Sequence, residues 1–243
     1  MKVSVSLSLA EAPPNGALSC VVAIDVLRAS TSIVTAFRNG CLEVVPVATL
    51  DDAWRVAASR PDALLCGERM GKRVDGFDLG NSPLEYSPEV VSGRTLIMST
   101  TNGTVLLRKY DEFERVVGCF ANLHSLVQWL LEHYKGCDVH LACAGKLERP
   151  GLEDIACAGA IVAMLRRSQE SVECDDGALV ALSVWEHLDE DPAKAVFSSS
   201  HGEYLCSIGH KDDLKYCSVI GEGPVPCIPV GTTAIRGAGG DVN

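Results

Sequence analysis

Cys20-Val21-Val22-Ala23-Ile24-Asp25-Val26 is an apolar run broken once, by Asp25, and it leads through Leu27-Arg28-Ala29 into a short helical pattern, Ser30–Arg38, closed by Asn39-Gly40. Consecutive apolar residues without polar alternation read as a strand buried on both faces. The glycine ends the helix, because it takes the left-handed backbone at no steric cost. The same order of strand, loop and helix recurs along the chain. Cys41–Ala48 reads as a second strand, Thr49 with Asp52 as a capping-box pattern ahead of a helix over Ala53–Ser59, and Pro61 as its stop. Ala63–Gly67 is a third strand, leading into a long polar loop, Arg69–Pro83. Arg94–Ser99, Arg115–Phe120 and Cys137–Ala144 are further strands, each followed by a loop and a helix. The strongest helix, Leu152–Arg167, carries an apolar face of Ile155, Gly159, Ile161, Val162 and Leu165, and ends on Arg166-Arg167, a charge that suits a helix C-terminus. Helices over Gly177–Leu188 and Gly202–Gly209 follow, and residues 221–243, with Pro224, Pro226 and Pro229, read as extended or loop-like. This alternation predicts a three-layer α/β/α fold with a largely parallel or mixed sheet, one compact unit over residues 1–243. Ligands in such folds bind beyond the carboxyl ends of the strands.

The 243 residues include 21 Lys+Arg and 32 Asp+Glu, a formal net charge of −11, with 47% hydrophobic and 22% charged residues. That apolar fraction excludes a disordered chain, and the length allows a sizeable core. An acidic chain without a Lys/Arg cluster excludes nucleic acid as the main partner and disfavours an anionic membrane surface. No run approaches the roughly 18 apolar residues of a membrane span, and Met1–Leu9 alternates apolar residues with serine, as a strand and not a secretory signal does. The 11 cysteines are odd in number and lack Cys-x-x-Cys spacing. Cys20, Cys66, Cys119 and Cys143 fall in apolar runs, so they are expected as small buried hydrophobes of a reduced, cytoplasmic protein.

The expected strand ends carry the chemistry. An ionised carboxylate ending a buried strand is costly unless paired or bound to metal, which makes Asp25 a candidate ligand for a hard cation such as Mg²⁺. Arg28, Ser30 and Thr31 then stand at a helix start, where backbone N–H groups favour an anion. Equally, Asp25 and Ser30 could simply cap that helix while Arg28 pairs on the surface. Leu27, two residues past Asp25, excludes the Asp-x-Asp of haloacid dehalogenase phosphatases. Glu68 ends the third strand as Asp25 ends the first and could complete a metal or water-activating site, beside a local concentration of Arg69, Lys72 and Arg73. Ser99-Thr100-Thr101-Asn102-Gly103-Thr104 offers hydroxyl and backbone donors at a helix start, without the Gly-Lys-[Ser/Thr] ending of a Walker A loop. Lys146 follows Cys143-Ala144-Gly145 and could neutralise an oxyanion, while Glu153 and Asp154 open the strongest helix. His201, with an unperturbed pKa of about 6.5, could protonate a leaving group.

In order, Asp25-Val-Leu-Arg-Ala-Ser-Thr-Ser32, Gly67-Glu-Arg69, Gly76-Phe-Asp-Leu-Gly-Asn-Ser-Pro83, Thr100-Thr-Asn-Gly-Thr104, Cys143-Ala-Gly145 with Glu153-Asp154, and Ser200-His-Gly202 resemble the 2-phosphosulfolactate phosphatase family. The resemblance implies an α/β/α fold and Mg²⁺-dependent hydrolysis of 2-phosphosulfolactate to sulfolactate and phosphate, a coenzyme M biosynthesis-type reaction. It also implies site residues at Asp25, Arg28, Ser30, Thr31, Glu68, Asn81, Ser82, Thr100, Thr101, Asn102, Gly103, Thr104, Glu153, Asp154 and His201. One departure is visible: the family tends to carry an acidic residue before a closing Val-Pro, where this chain has Gly221-Glu-Gly-Pro-Val-Pro226. On this reading Asp25, Glu68, Glu153 and Asp154 are the metal ligands, and Asp25, Glu68, Lys146 and His201 are catalytic. The hydroxyl and amide residues, with Arg28, bind the anionic substrate. Direct attack by water and a phospho-enzyme on a carboxylate such as Asp25 both fit the residues. Two competing readings are a non-catalytic small-anion binding protein and a phosphatase for another small phosphorylated acid; carboxylates beside the phosphate loops argue against the first. A homo-oligomer is the base-rate expectation.

Overall fold

The run ending at Asp25 lies in the interior of a seven-stranded sheet. The computed structural model describes residues 1–12, 18–168 and 171–237. Its strands are β1 (Lys2–Ser6), β2 (Cys20–Ile24), β3 (Glu43–Pro46), β4 (Leu64–Arg69), β5 (Lys72–Arg73), β6 (Thr95–Ser99), β7 (Arg115–Gly118), β8 (Asp138–Cys143), β9 (Glu173–Cys174), β10 (Pro226–Ile228) and β11 (Arg236–Gly237). The helices are α1 (Ala29–Arg38), α2 (Leu50–Ser59), α3 (Pro88–Val91), α4 (Gly103–Lys109), α5 (Leu123–His133), α6 (Leu152–Ser168), α7 (Asp176–His187), α8 (Pro192–Ser198), α9 (Ser200–Ser207) and α10 (Lys211–Cys217).

The expected single sheet is two. The larger runs β11-β10-β7-β2-β8-β1-β9, parallel from β7 to β9 with an antiparallel edge at β10 and β11. The smaller runs β3-β6-β4-β5, parallel except for β5. Residues of β2 point alternately into two cores, Val22 and Ile24 toward α5, α6 and α7, and Val21 and Ala23 toward α1 and α4. Burial on both faces is why β2 reads as a continuous apolar run. The small sheet repeats the plan: Val44, Leu96 and Met98 join the α1 side, while Val45, Leu65 and Ile97 pack on α2. Helices therefore lie on both sides of the sheets, as the α/β/α expectation required.

Two segments depart from their expected form. The loop Arg69–Pro83 begins as a hairpin, β4 pairing with β5 around Met70 (φ 52°) and Gly71 (φ 73°), and it buries Phe77 and Leu79. A two-residue turn with both central residues at positive φ normally advertises itself as Asn-Gly; methionine in the first place hides it. The proline-rich tail adds β10 to the sheet edge, and Ile235 exchanges backbone hydrogen bonds with Val44 of the small sheet, so this segment straps the two sheets together. Residues 238–243 lie outside the described residues. Cys20, Cys66, Cys119 and Cys143 are fully buried and free, as expected of core fillers.

Thr49 caps α2 by accepting from Asp52 N at 3.0 Å. Helix α6 is buried around most of its circumference and crosses α7 at Gly159. A β-carbon there would overlap the Ala181 carbonyl oxygen and stand 2.7 Å from Trp185 Cβ. Gly159→Val should therefore lower the thermal midpoint by roughly 6–12 °C, about 3 kcal/mol of overpacking. A melt superimposable on that of the parent protein would show that the contact is not rigid.

Candidate active site

Beyond Ile24 and Cys143, which are paired in register, the parallel strands β2 and β8 diverge. Asp154, in the first turn of α6, fills the gap: its Oδ1 accepts from Val26 N at 2.8 Å and its Oδ2 from Gly145 N at 2.9 Å. Next to it Glu153, 1% exposed, pairs through Oε1 with His201 Nδ1 at 3.2 Å, and its Oε2 has no partner. Asp25 is also buried, with Oδ1 accepting from Ala29 N at 3.2 Å. Its Oδ2 lies against Gly103 at the start of α4, where a β-carbon would come within 2.7 Å of that oxygen and 2.5 Å of the Ala29 side chain. Only glycine permits this approach of the two sheets.

Asp25 and Asp154, buried in one place beside Glu153, resist ionisation. Burial pushes the Asp25 carboxyl up to about 6; His201 and the Ala29 amide pull it down, while Glu68 and Glu153 push it further up. Asp154 is raised well above the ordinary carboxylate range, first by burial and then by Glu153 and Asp25, against the two amides it holds.

The walls come from the small sheet, whose β4 and β6 end in register at Gly67 and Ser99. Glu68 spends both oxygens on backbone, Oε1 on Thr101 N (2.8 Å) and Oε2 on Gly71 N (2.7 Å), with the Thr101 hydroxyl also donating to Oε1. Thr100 and Thr104 close a reciprocal turn, each hydroxyl accepting from the other's amide. Between the walls lies a cavity of about 300 Å³. Of the residues singled out from sequence, Asp25, Arg28, Glu68, Asn81, Thr100, Thr101, Asn102, Lys146 and His201 line it. The Asn81 Oδ1 is buried with no partner.

The others serve the cavity from behind. The Ser30 hydroxyl accepts from Asp25 N and reaches the Ala23 carbonyl, and Thr31 Oγ1 donates to the Val26 carbonyl, so both shape the floor and neither hydroxyl is free for an anion. Ser82 Oγ donates to Asp213 Oδ1 at 2.6 Å. Glu153, Asp154, Gly103 and Thr104 stand just outside the lining. The segment Gly221–Gly223, where the sequence departs from the family pattern, hydrogen-bonds to Phe120 and Ala121 instead of reaching the cavity.

Sequence reasoning missed two residues. Asp213, in α10, receives Arg28 Nη1 at 2.6 Å and also Ser82 and His210, which makes it the buried counterion of Arg28. In sequence it is one of two acids in a short helix's first turn, a pattern shared with ordinary dipole partners. Tyr204, in α9, lines the cavity and lies under Lys146 Nζ, 4.4 Å from its ring centre. Nothing in its local sequence distinguishes it.

Among the described residues no three acidic, histidine or cysteine side chains converge closely enough to enclose an ion by themselves. The donor set nevertheless suits an ion held by one or two carboxylates, the usual mode for Mg²⁺. The partnerless Glu153 Oε2 and the strained Asp25 carboxylate are such donors.

A family model described as 2-phosphosulpholactate phosphatase matches residues 7–230. A probable 2-phosphosulfolactate phosphatase of Thermotoga maritima is 40% identical over 81% of this chain and 83% of its own length. Proteins of the same description from Symbiobacterium thermophilum and a Synechococcus strain are each 39% identical, the first over 82% of this chain and 86% of the relative, the second over 86% and 87%. The fold, the loops converging on the cavity and these likenesses agree: the chain belongs to the 2-phosphosulpholactate phosphatase family.

Proposed function

We propose that this chain is a phosphoric monoester hydrolase that cleaves 2-phosphosulfolactate to 3-sulfolactate and phosphate, with Mg²⁺, in the cytoplasm and as a step of the coenzyme M biosynthesis type. One observation carries the chemistry. Buried carboxylates, one oxygen of them without a partner, crowd at the floor of a cavity whose lining also holds Arg28, Arg69, Lys146 and His201. Such crowding is unfavourable in an apo protein and becomes favourable with a cation between the carboxylates and a phosphate.

On this reading Asp25 and Glu153 would hold the ion, supported by the unpartnered Glu153 Oε2 and the raised Asp25 carboxyl, with Glu68 and Asp154 fixing the loops around them. When bound, Mg²⁺ offsets phosphoryl charge and acidifies a coordinated water. The side chains do the rest. Glu153 engages His201 Nδ1 and so leaves Nε2 as the ring nitrogen available to the substrate. A His201 ring charged against Glu153 can pass its Nε2 proton to the departing secondary alkoxide, which is a poor leaving group without one. Thr100 and Thr101 are fixed by Thr104 and Glu68, so the backbone behind the phosphate is preorganised. The cavity of about 300 Å³ accommodates a three-carbon acid.

Phosphate release from 2-phosphosulfolactate should require Mg²⁺ and stop in EDTA; equal rates in both would remove the reading. A panel of other small phosphorylated acids separates this substrate from its neighbours.

A second outcome concerns Asp25→Asn. Its folded-state carboxyl is raised from 3.8 to about 6, so protonation favours folding. The stabilising contribution is present below about pH 4 and is lost as pH rises through about 6. At pH 7 the carboxylate of the metal-free protein therefore opposes folding by about 3 kcal/mol. Asparagine keeps an oxygen for Ala29 N and removes the charge. The variant should lose activity by at least ~100-fold while melting ~6–12 °C higher at pH 7 in EDTA, a gain that disappears near pH 4. A lower midpoint at pH 7 would show that Asp25 is a stabilising cap and not a strained ligand.

A further inference from the structure

The cavity holds four cationic side chains, and three are already committed. Arg28 is tied to Asp213 and to the Gly71 carbonyl (2.7 Å), Arg69 to the Ser99 hydroxyl and to the Ser99 and Glu68 carbonyls, and His201 to Glu153. Lys146 differs. Among the described residues its ammonium touches only the Ser200 carbonyl, at 3.4 Å, and it rests 4.4 Å over the Tyr204 ring. Depth separates it from the carboxylates and from Arg28: Asp25, Arg28 and Glu68 are buried, whereas Lys146 and Tyr204, like Arg69 and His201, are half-buried, and the adjoining Leu147 and Met70 are exposed at 70% and 77%. The uncommitted cation is therefore at the mouth and the carboxylates are at the floor.

A reacting phosphoryl group has to sit at the floor, beside Asp25 and His201. Of the substrate's two remaining anions, the carboxylate sits on the phosphate-bearing carbon, and the sulfonate, one methylene further out, reaches farther toward the mouth. We infer that Lys146, steered by Tyr204, binds the sulfonate of the substrate and is the determinant that separates sulfonated from non-sulfonated phosphoesters. This rests on the reaction proposed above. Lys146 is a specificity residue, and Tyr204 is a positioning residue that acts through it. The ring attracts the ammonium by its quadrupole and limits the rotamers of a long side chain, which preorganises the charge. Through its hydroxyl Tyr204 also donates to the Met70 carbonyl at 3.0 Å, so the Lys146 loop and the β4–β5 hairpin share one support. A sulfonate is weakly basic and stays ionised at any physiological pH, so one uncommitted ammonium at the mouth can hold it as a point charge without a dry bidentate arginine clamp.

The test compares 2-phosphosulfolactate with 2-phospholactate, in which hydrogen replaces the sulfonate. In Lys146→Met, kcat/KM for the sulfonated ester should fall roughly 30-fold, mainly through KM, as expected for the loss of a hydrogen bond to a charged group. The non-sulfonated ester should lose no more than about a third of that factor. Lys146→Arg should recover most of the discrimination. Tyr204→Phe keeps the ring and should preserve the ratio between the two esters, whereas Tyr204→Leu should lower it by about 3-fold. Equal losses on both esters in Lys146→Met would overturn the assignment. Calorimetric titration with 3-sulfolactate, set beside inorganic phosphate, decides without turnover: the parent should bind 3-sulfolactate and Lys146→Met should bind it at least ~10-fold more weakly, with phosphate affinity changed far less. If the parent hydrolysed neither ester, the proposed reaction would fall while the titration still judged Lys146. If the parent did not bind 3-sulfolactate, or bound it no better than Lys146→Met, the inference would fall.

Discussion

The site depends on one carboxylate that holds two strands apart. Where β2 and β8 diverge, the amides of Val26 and Gly145 lose their sheet partners, and a buried N–H without an acceptor is expensive. Asp154 satisfies both from the first turn of α6. The cost is a carboxyl buried deep in the protein among other acids: burial, Glu153 and Asp25 all raise Asp154, and Glu153 raises Asp25 as well. The interaction that opens the cleft thus also makes it unfavourable when empty of cations.

The cations are arranged to match. A chain with a net charge of −11 would repel a multiply charged anion if its field were uniform, so the positive groups have to act locally. Arg28 is buried at 3% exposure, and without Asp213 its charge would be uncompensated. The pair, with the Gly71 carbonyl as a third partner, anchors α10 and the hairpin to the loop after β2. Arginine here is partly architecture. The lysine at the mouth is left for the ligand.

Much of this was legible in sequence and some was not, for definable reasons. A strand buried on both faces leaves an unbroken apolar run, so β2, β6, β7 and β8 were readable, as was the helix that starts at Leu152. Asp25 and Glu68 stood out because an acid at a strand end violates the local pattern. The hydroxyls of Ser30, Thr31 and Ser82 stood out equally, yet they bond inward; side-chain composition at a helix start is the same whether the oxygens face a ligand or the backbone. The division into two sheets was invisible, since parallel strands have similar patterns in either sheet and the pairing is set by packing. Asp213 and Tyr204 were missed because each acts across more than 50 residues of sequence, on Arg28 and Lys146, and neither breaks the periodicity of its own helix.

The two-sheet arrangement explains why the cavity needs so many cross-links. Its floor belongs to the large sheet and one wall to the small sheet, so any sliding between them would displace Glu68 and the Thr100–Thr104 turn relative to Asp25. Catalytic groups lose effectiveness with displacements of about 1 Å. The contacts that prevent sliding surround the cavity: Gly103 pressed against Ala29 and Asp25, Ser32 bound to the Asn81 carbonyl, Arg28 on Gly71, and the Ile235–Val44 bridge behind. Each is a short contact between residues of different sheets or their loops, and all four use backbone atoms on at least one side, which cannot change rotamer. Gly103 has no room for a side chain for the same reason: a methyl group there would meet Ala29 and the Asp25 carboxylate and push the wall away from the floor just behind the cavity lining.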